Sequence, residues 1–251
     1  MEKFKKKHSS FIDRTGEKHI TNEGYPVEII TYRSKKDCDI KFENGVIIKN
    51  REYNDILKGN VKNPYHKSIY RIGYFGIGKY DSKTHLKIYD TWVNMLRRCY
   101  YEKYQEKQPT YIGCSVDEYW HNFQVFAKWF DENYKAGYQL DKDILSKGNK
   151  IYSPETCCLV PSDINVLFTK RDACRGKHPI GVSKAGNKFK SCIRINGKTI
   201  GLGYFNTPKE AFQAYKTAKE THIKEVAEIW KPKLATKTYE ALINYQVEIT
   251  D

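Results

Sequence analysis

Short runs of alternating apolar and polar residues give way, along this chain, to runs of helical period and then to alternation again, and the changes of period divide it into three parts. Across residues 16–61, β-rich runs at 27–32, 39–42 and 46–49 are separated by turn residues, with Glu43-Asn44-Gly45 marking a hairpin between the last two. This part reads as a small antiparallel barrel or sheet. Residues 60–81 are rich in Gly, Tyr and Lys, have no clear period, and read as a connecting arm. Two helices follow: Ile88, Trp92, Leu96 and Cys99 share one helical face, and Trp120, Phe123, Ala127 and Phe130 share another. Residues 138–170 then predict a strand through Ile144, a loop of Gly, Asn and Pro, a second strand at 157–160 and a helix over 162–168, a ββα unit.

The last part is the most legible. Asn196-Gly197 is a strong hairpin signal, because a two-residue type I′ turn needs positive φ at both central positions. The register this turn imposes sets Ile193 against Ile200, Ser191 against Leu202 and Phe189 against Tyr204 on one face. Arg194 then faces Thr199, Cys192 faces Gly201 and Lys190 faces Gly203 on the other. One face is apolar and the other basic, and Gly201 and Gly203 leave the basic face bare where a phosphate backbone would approach. Thr207-Pro208-Lys209-Glu210 supplies an N-cap, a proline at the first helical position and a capping-box glutamate. The helix it starts carries Ala211, Ala214, Tyr215, Ala218 and Val226 at helical spacing, toward Phe189, Ile193 and Leu202.

Charge sharpens this picture. The 251 residues hold 44 Lys and Arg against 30 Asp and Glu, a formal net charge of +14, which favours polyanionic partners. The excess lies at the two ends: residues 1–80 carry 17 basic and 10 acidic side chains, 81–170 carry 12 and 12, and 171–251 carry 15 and 8. No stretch of eighteen apolar residues occurs, and the basic first ten residues lead into no apolar segment, so a cytoplasmic protein with no membrane partner is expected. Seven cysteines without a C-x-x-C pair support neither a disulfide framework nor a zinc ribbon. A set drawn from Cys114, His121, Cys157 and Cys158 lacks zinc spacing, and most of the cysteines are expected to be buried thiols.

Three resemblances add to this reading. The β-rich N-terminal run looks like the compact five-stranded barrels of the Tudor or Src-homology-three kind. The run GLGYFNTPKEAFQAY, with the hairpin before it, resembles the ethylene-response-factor (APETALA-type) DNA-binding domain over residues 177–226. That family folds as a three-stranded antiparallel sheet backed by one helix, and its exposed sheet face enters the major groove. The resemblance implies Lys184, Lys188, Lys190, Arg194 and Thr199 as DNA-facing residues, with Lys198 as a further phosphate contact beside Gly201 and Gly203. The ββα unit, preceded by the W-x-x-M-L-x-R-C helix and the aromatic helix, resembles the HNH (His-Me finger) nucleases of bacteriophages and mobile introns. In that family a strand His activates water, a loop Asn orients it, and a helical Asn or His binds a divalent metal beside a strand Asp.

Carried over, Asp141 matches the strand Asp and Asn165 the helical Asn, whereas Lys142 stands in the place of the base and Thr156 in that of the loop Asn. Lysine is a poor base at neutral pH unless burial lowers its pKa, and threonine lacks an amide's paired donor and acceptor. Asp143 could complete a set of oxygen ligands with Asp141 and Asn165 for Mg²⁺ or Mn²⁺. Strand alternation places Lys142 opposite 141 and 143. The resulting expectation is an α+β protein in three parts. Residues 1–80 form a small basic barrel-like domain with an arm, 81–170 a helical domain with an HNH-like ββα unit, and 171–251 an APETALA-type domain with a C-terminal tail. Its expected partner is double-stranded DNA rather than a small-molecule substrate. The catalytic candidates are Asp141, Lys142, Asp143 and Asn165. A non-catalytic DNA-binding protein on a degenerate nuclease scaffold, and a basic protein that binds RNA or an acidic protein, are the alternatives.

Overall fold

The computed structural model describes residues 12–168 and 177–249 and is a mixture of helices and several small sheets, an α+β chain. It clusters into two units, one of residues up to 79 together with 122–124, the other of residues 80–121 and from 125 onward.

In the first unit, β1 (Lys18–Ile20), β2 (Pro26–Ser34), β3 (Asp37–Phe42) and β4 (Ile47–Arg51) pair antiparallel in sequence order. The turn between β3 and β4 is the one predicted: Gly45 sits at φ 85°, and the Asn44 side chain accepts from the Val46 N–H. Of the barrel or sheet expected from the sequence, the structure has the open sheet, without the closure of the five-stranded barrels it resembles. β1 and β4 are the two edges, and after β4 the chain enters the short helix α1 (Tyr53–Leu57) instead of a fifth strand. Tyr53 and Ile56 of α1 cover the inner sheet face, where the cross-strand pairs Val27 with Phe42, Ile29 with Ile40 and Tyr32 with Cys38 are buried. The core is thus sealed by a helix instead of by closure.

The second unit opens with α2 (Leu86–Tyr100), which buries Ile88, Trp92, Met95, Leu96 and Cys99 along one stripe, followed by α3 (Glu102–Lys107), β5 (Ser115–Val116) and α4 (Phe123–Asn133). Trp120 lies in a short helical turn ahead of α4; its carbonyl accepts from the Trp92 indole at 2.7 Å, and its ring meets Phe126 edge-on. β6 (Tyr138–Asp141), β7 (Ile151–Tyr152), β8 (Cys158–Pro161) and α5 (Ser162–Leu167) follow. β6 pairs antiparallel with β8 and β7 parallel with β5. The first strand stops at Asp141 rather than running through Ile144, because the Asp141 Oδ1 accepts from the backbone N–H of Asp143 (2.7 Å) and Ile144 (2.8 Å) and turns the chain.

β9 (Val182–Ala185), β10 (Lys188–Ile195) and β11 (Lys198–Phe205) form an antiparallel sheet with β10 in the middle, and α6 (Pro208–Trp230) and α7 (Thr236–Ile243) complete the chain. The cap of α6 is built as its sequence predicts. The Thr207 hydroxyl accepts from the Glu210 N–H, and the Glu210 carboxylate accepts from the Thr207 N–H. Phe212, Tyr215, Ile223 and Ala227 of α6 share one core with Ile193 of the sheet and with Ile144, Cys158, Val160 and Ile164 of the ββα unit. Full burial of each large apolar side chain there is worth about 1.5–3 kcal/mol. Side chains from before and after the expected boundary at 170/171, a point outside the described residues, therefore line a single interior. The expected C-terminal tail is also part of it: α7 buries Thr238 and Leu242, and Val247 is held by a bond from the Lys216 ammonium to its carbonyl and one from its N–H to Glu220.

Gly181 shows how closely α6 sits. Its φ is 74°, and a Cβ there would lie 2.0 Å from Cδ2 of Tyr215. Gly181→Ala adds both left-handed strain and a clash with a buried ring, and is expected to cost about 2–4 kcal/mol. Chemical denaturation of the full chain checks this, since an unchanged midpoint would mean that Tyr215 does not pack on this backbone.

Candidate functional site

The chemistry-bearing residues gather in two places, the outer face of the C-terminal sheet and the turn after β6. In the sheet, Asn196 (φ 50°) and Gly197 (φ 78°) form the predicted tight turn, and the predicted pairs Arg194 with Thr199, Ile193 with Ile200 and Cys192 with Gly201 are all present. Beyond them the register slips by one residue. A bulge at Leu202 sets Ser191 against Gly203, Lys190 against Tyr204 and Phe189 against Phe205.

The slip re-sorts the two faces. Tyr204, expected among the apolar residues, stands across from Lys190 on the outer face with 61% of its surface exposed. Gly203, expected on the basic face, lies opposite the fully buried Ser191. Its φ of 128° suits glycine, so Gly203 serves the bulge, and the reading of both glycines as openings for a phosphate holds only for Gly201. A Cβ at Gly201 would meet nothing within 4 Å. The sequence does carry a signal for the slip, since a glycine within a strand marks a bulge as readily as a close approach.

Lys188, Lys190 and Arg194 alternate along β10 on the same face as Thr199, Gly201 and Tyr204. The Arg194 Nε donates to the Gly197 carbonyl at 3.1 Å, which orients the guanidinium, while its Nη groups make no hydrogen bond among the described residues. Two other predicted contacts fall elsewhere. Lys184 pairs with Phe189 and Lys198 with Ile195, so both belong by register to the opposite face, although both side chains are exposed at the rim. From residue 177 to 209 the sequence holds seven Lys and Arg and no carboxylate, so the strands themselves supply no neutralising charge.

At the ββα unit, Asp141, Lys142 and Asp143 occupy one turn, but each is engaged internally. Asp141 caps the turn as described, and its burial raises its pKa. Lys142, just past the end of β6, points inward. Only 7% exposed, its ammonium donates to the Asp143 carboxylate (2.7 Å) and to the Asn149 carbonyl (2.8 Å), with the Tyr152 ring 6.0 Å away. This ammonium ties the turn to the Asn149 loop, and as an ammonium it has no lone pair with which to take a proton from water. Asn165 donates from Nδ2 to the Gln139 side chain at 2.6 Å; Gln139 and Asp141 lie two apart on β6 and share a strand face. Thr156 is spent on a turn, its hydroxyl donating to the Ile151 carbonyl and accepting from the Ser153 N–H. The residue that organises the loop is Asn149, which sequence reading passed over. It donates to the carbonyls of Lys142 and Ile151 and accepts from the Ile151 N–H.

A hard divalent cation wants several converging open oxygens. Here one Asp143 oxygen faces an ammonium and the Asp141 Oδ1 accepts from two backbone N–H groups, so two of the oxygens such an ion would need are already engaged. Among the described residues no three His, Cys, Asp or Glu side chains are placed to hold a metal. Six of the cysteines are free thiols, five of them buried, with burial pushing Cys99 and Cys157 up to about 12; Cys174 lies outside the described residues. A cavity of about 1070 Å³ beside α6 is walled by residues such as Ile193, Tyr215, Val226 and Trp230, and by none of Asp141, Lys142, Asp143 or Asn165.

The turn yields a pH prediction. A carboxyl whose pKa is raised on folding binds its proton more tightly in the folded state, so its contribution to stability is lost as pH rises from the ordinary value of 3.8 through the raised one. Asp141→Asn keeps an oxygen for the two N–H groups but cannot ionise. Its stability relative to the native chain should therefore improve as pH rises across that window, as read from denaturation midpoints at a series of pH values; a gap that does not change with pH would contradict the assignment. Comparison of the chain with protein-family models, with curated proteins and with solved structures finds no match.

Proposed function

We propose that this protein binds duplex DNA through the outer face of the β9–β11 sheet. The observation that carries the reading is the row of Lys188, Lys190 and Arg194 along β10. It is flanked by the bare Gly201 and the exposed Tyr204 on strands that carry no carboxylate of their own. Lysines at alternate strand positions supply phosphate contacts, and an arginine oriented through Nε keeps its two Nη groups for a base edge or a phosphate. The tyrosine offers a flat apolar surface with a polar tip for sugar or base. Resemblance to the APETALA-type domain favours the major groove as the place where this face sits.

Gly201→Val separates binding from folding. The site is an ordinary strand position with open space above it, so the variant should melt no lower than the native chain, while its affinity for a mixed-sequence duplex should fall roughly tenfold or more if a phosphate backbone approaches there. Unchanged affinity would place the DNA elsewhere, and a chain with no affinity for duplex DNA would leave RNA or an acidic protein as its partner.

A second reading is metal-dependent cleavage of the bound DNA, and the β6–β8–α5 order with Asp141 and Asn165 on neighbouring elements favours it. The internal engagement of Lys142 and Asp143 favours the non-catalytic alternative. Incubation of the protein with duplex DNA and Mg²⁺ or Mn²⁺, against EDTA, decides between them. If the ββα unit cuts, products appear only with metal and Asn165→Ala removes them while affinity stays within about twofold, the recognition energy lying in the basic sheet. Cutting that survives Asn165→Ala would exclude this site.

A further inference from the structure

The arm of the first unit contains a conformation its sequence does not favour. Four non-glycine residues among those described have positive φ: Asn50, Asn196, Tyr70 (51°) and Arg71 (60°). Asparagine tolerates the left-handed region, whereas tyrosine and arginine pay a steric penalty for it, and here two of them stand in succession. They form the tip of a tight turn whose base is closed by three hydrogen bonds. The Ile69 carbonyl accepts from the N–H of Ile72 (3.0 Å) and Gly73 (2.9 Å), and the Ile69 N–H donates to the Gly73 carbonyl (3.1 Å). This is the geometry that Asn-Gly supplies without strain, as it does at residues 196–197 of the same chain. A strained turn kept in place of an unstrained one points to use of what it displays; Tyr70 is half-buried with a partner inside the chain, so the side chain displayed by the tip is that of Arg71.

Those side chains have a clear chemistry. Arg71 is exposed and makes no hydrogen bond or ion pair among the described residues, and Lys58, Lys62 and Lys67 on the same stretch are exposed as well. From residue 58 to 80 the sequence has five Lys and Arg and no carboxylate. Tyr65, also exposed, meets the ring of Tyr74 at 5.6 Å. Elsewhere in the unit, by contrast, Arg33 is bound by Asp37 and Asp39, and Arg14 by Glu17. The arm thus displays cations with no carboxylate of its own stretch to neutralise them.

We infer that the Tyr70–Arg71 turn is a second DNA contact, in which Arg71 and the neighbouring arm lysines engage the phosphate–sugar backbone of the duplex. This rests on the proposed DNA-binding function of the C-terminal sheet and extends it to the first unit. A rigid tip suits the task, because a side chain fixed by its turn loses less freedom on binding than one on a mobile segment.

The test is the full-length double variant Tyr70→Asn/Arg71→Gly, which installs the unstrained turn and removes both side chains. Its melting temperature should rise by roughly 2–8 °C, the response of a chain of this size to relief of strain at two positions. Its affinity for a labelled mixed-sequence duplex should fall about three- to tenfold, and the slope of log affinity against log salt should become shallower by about 0.9, because Arg71 no longer neutralises a phosphate. Arg71→Lys, which keeps the charge, should recover most of the affinity. A higher melting temperature with unchanged affinity and slope would overturn the inference, as would a lower melting temperature, which would make the turn a structural element. Native protein that fails to bind the duplex at all would instead sink the proposed function, so the two failures are distinguishable.

Discussion

Helix α6 covers one face of the C-terminal sheet, and that contact sorts nearly everything else in the second unit. With Phe212 and Tyr215 packed on the inner side around Ile193, and with Tyr215 lying against the backbone of Gly181, no charged side chain of the central strand can turn inward. Lys188, Lys190 and Arg194 are therefore confined to the outer face, where an alternating strand presents them in a row. The same helix joins the sheet to the ββα unit through Cys158, Val160 and Ile164, and receives α7 and Val247 on its flank. The basic surface is a consequence of how the core is filled.

Much of this was legible beforehand because it rests on local rules. The Asn196-Gly197 turn, the capping box at Thr207 and the stripe of α2 each depend on a few neighbouring residues, and each is present as its sequence predicts. What escaped depends on sums over distance. The bulge at Leu202 reverses the sides of Gly203 and Tyr204, because one extra residue in a strand of period two inverts every position beyond it. The first sheet stays open because the residues after β4 become helix, and Thr238 and Leu242 enter the core because α6 provides a surface for them. None of these outcomes is written in the local pattern of the segment concerned.

The turn after β6 shows a different limit. Composition and spacing bring Asp141, Lys142, Asp143 and Asn165 together as catalytic candidates, and the fold does place the first three in one turn, with the helix of Asn165 next to their strand. Their hydrogen bonds nonetheless direct them to structural work: Asp141 to backbone N–H groups, Lys142 to the loop carbonyl of Asn149, Asp143 to Lys142 and Asn165 to Gln139. A buried ammonium with its partners at 2.7 and 2.8 Å anchors a loop well and abstracts protons poorly. With these groups engaged inside the turn, the cations left facing outward in the second unit include the row of Lys188, Lys190 and Arg194 on the outer sheet face.

The most direct measurement of the central claim is the salt dependence of duplex binding by the full chain, compared with a Lys188→Ala/Lys190→Ala/Arg194→Ala variant. Each phosphate neutralised contributes about 0.9 to the slope of log affinity against log salt, so removal of these three cations should make the slope shallower by roughly 2.7. The account predicts that change together with an unchanged melting temperature, since all three side chains stand on the outer face away from the core. A variant with the native slope and native affinity would contradict it and move the DNA away from this sheet.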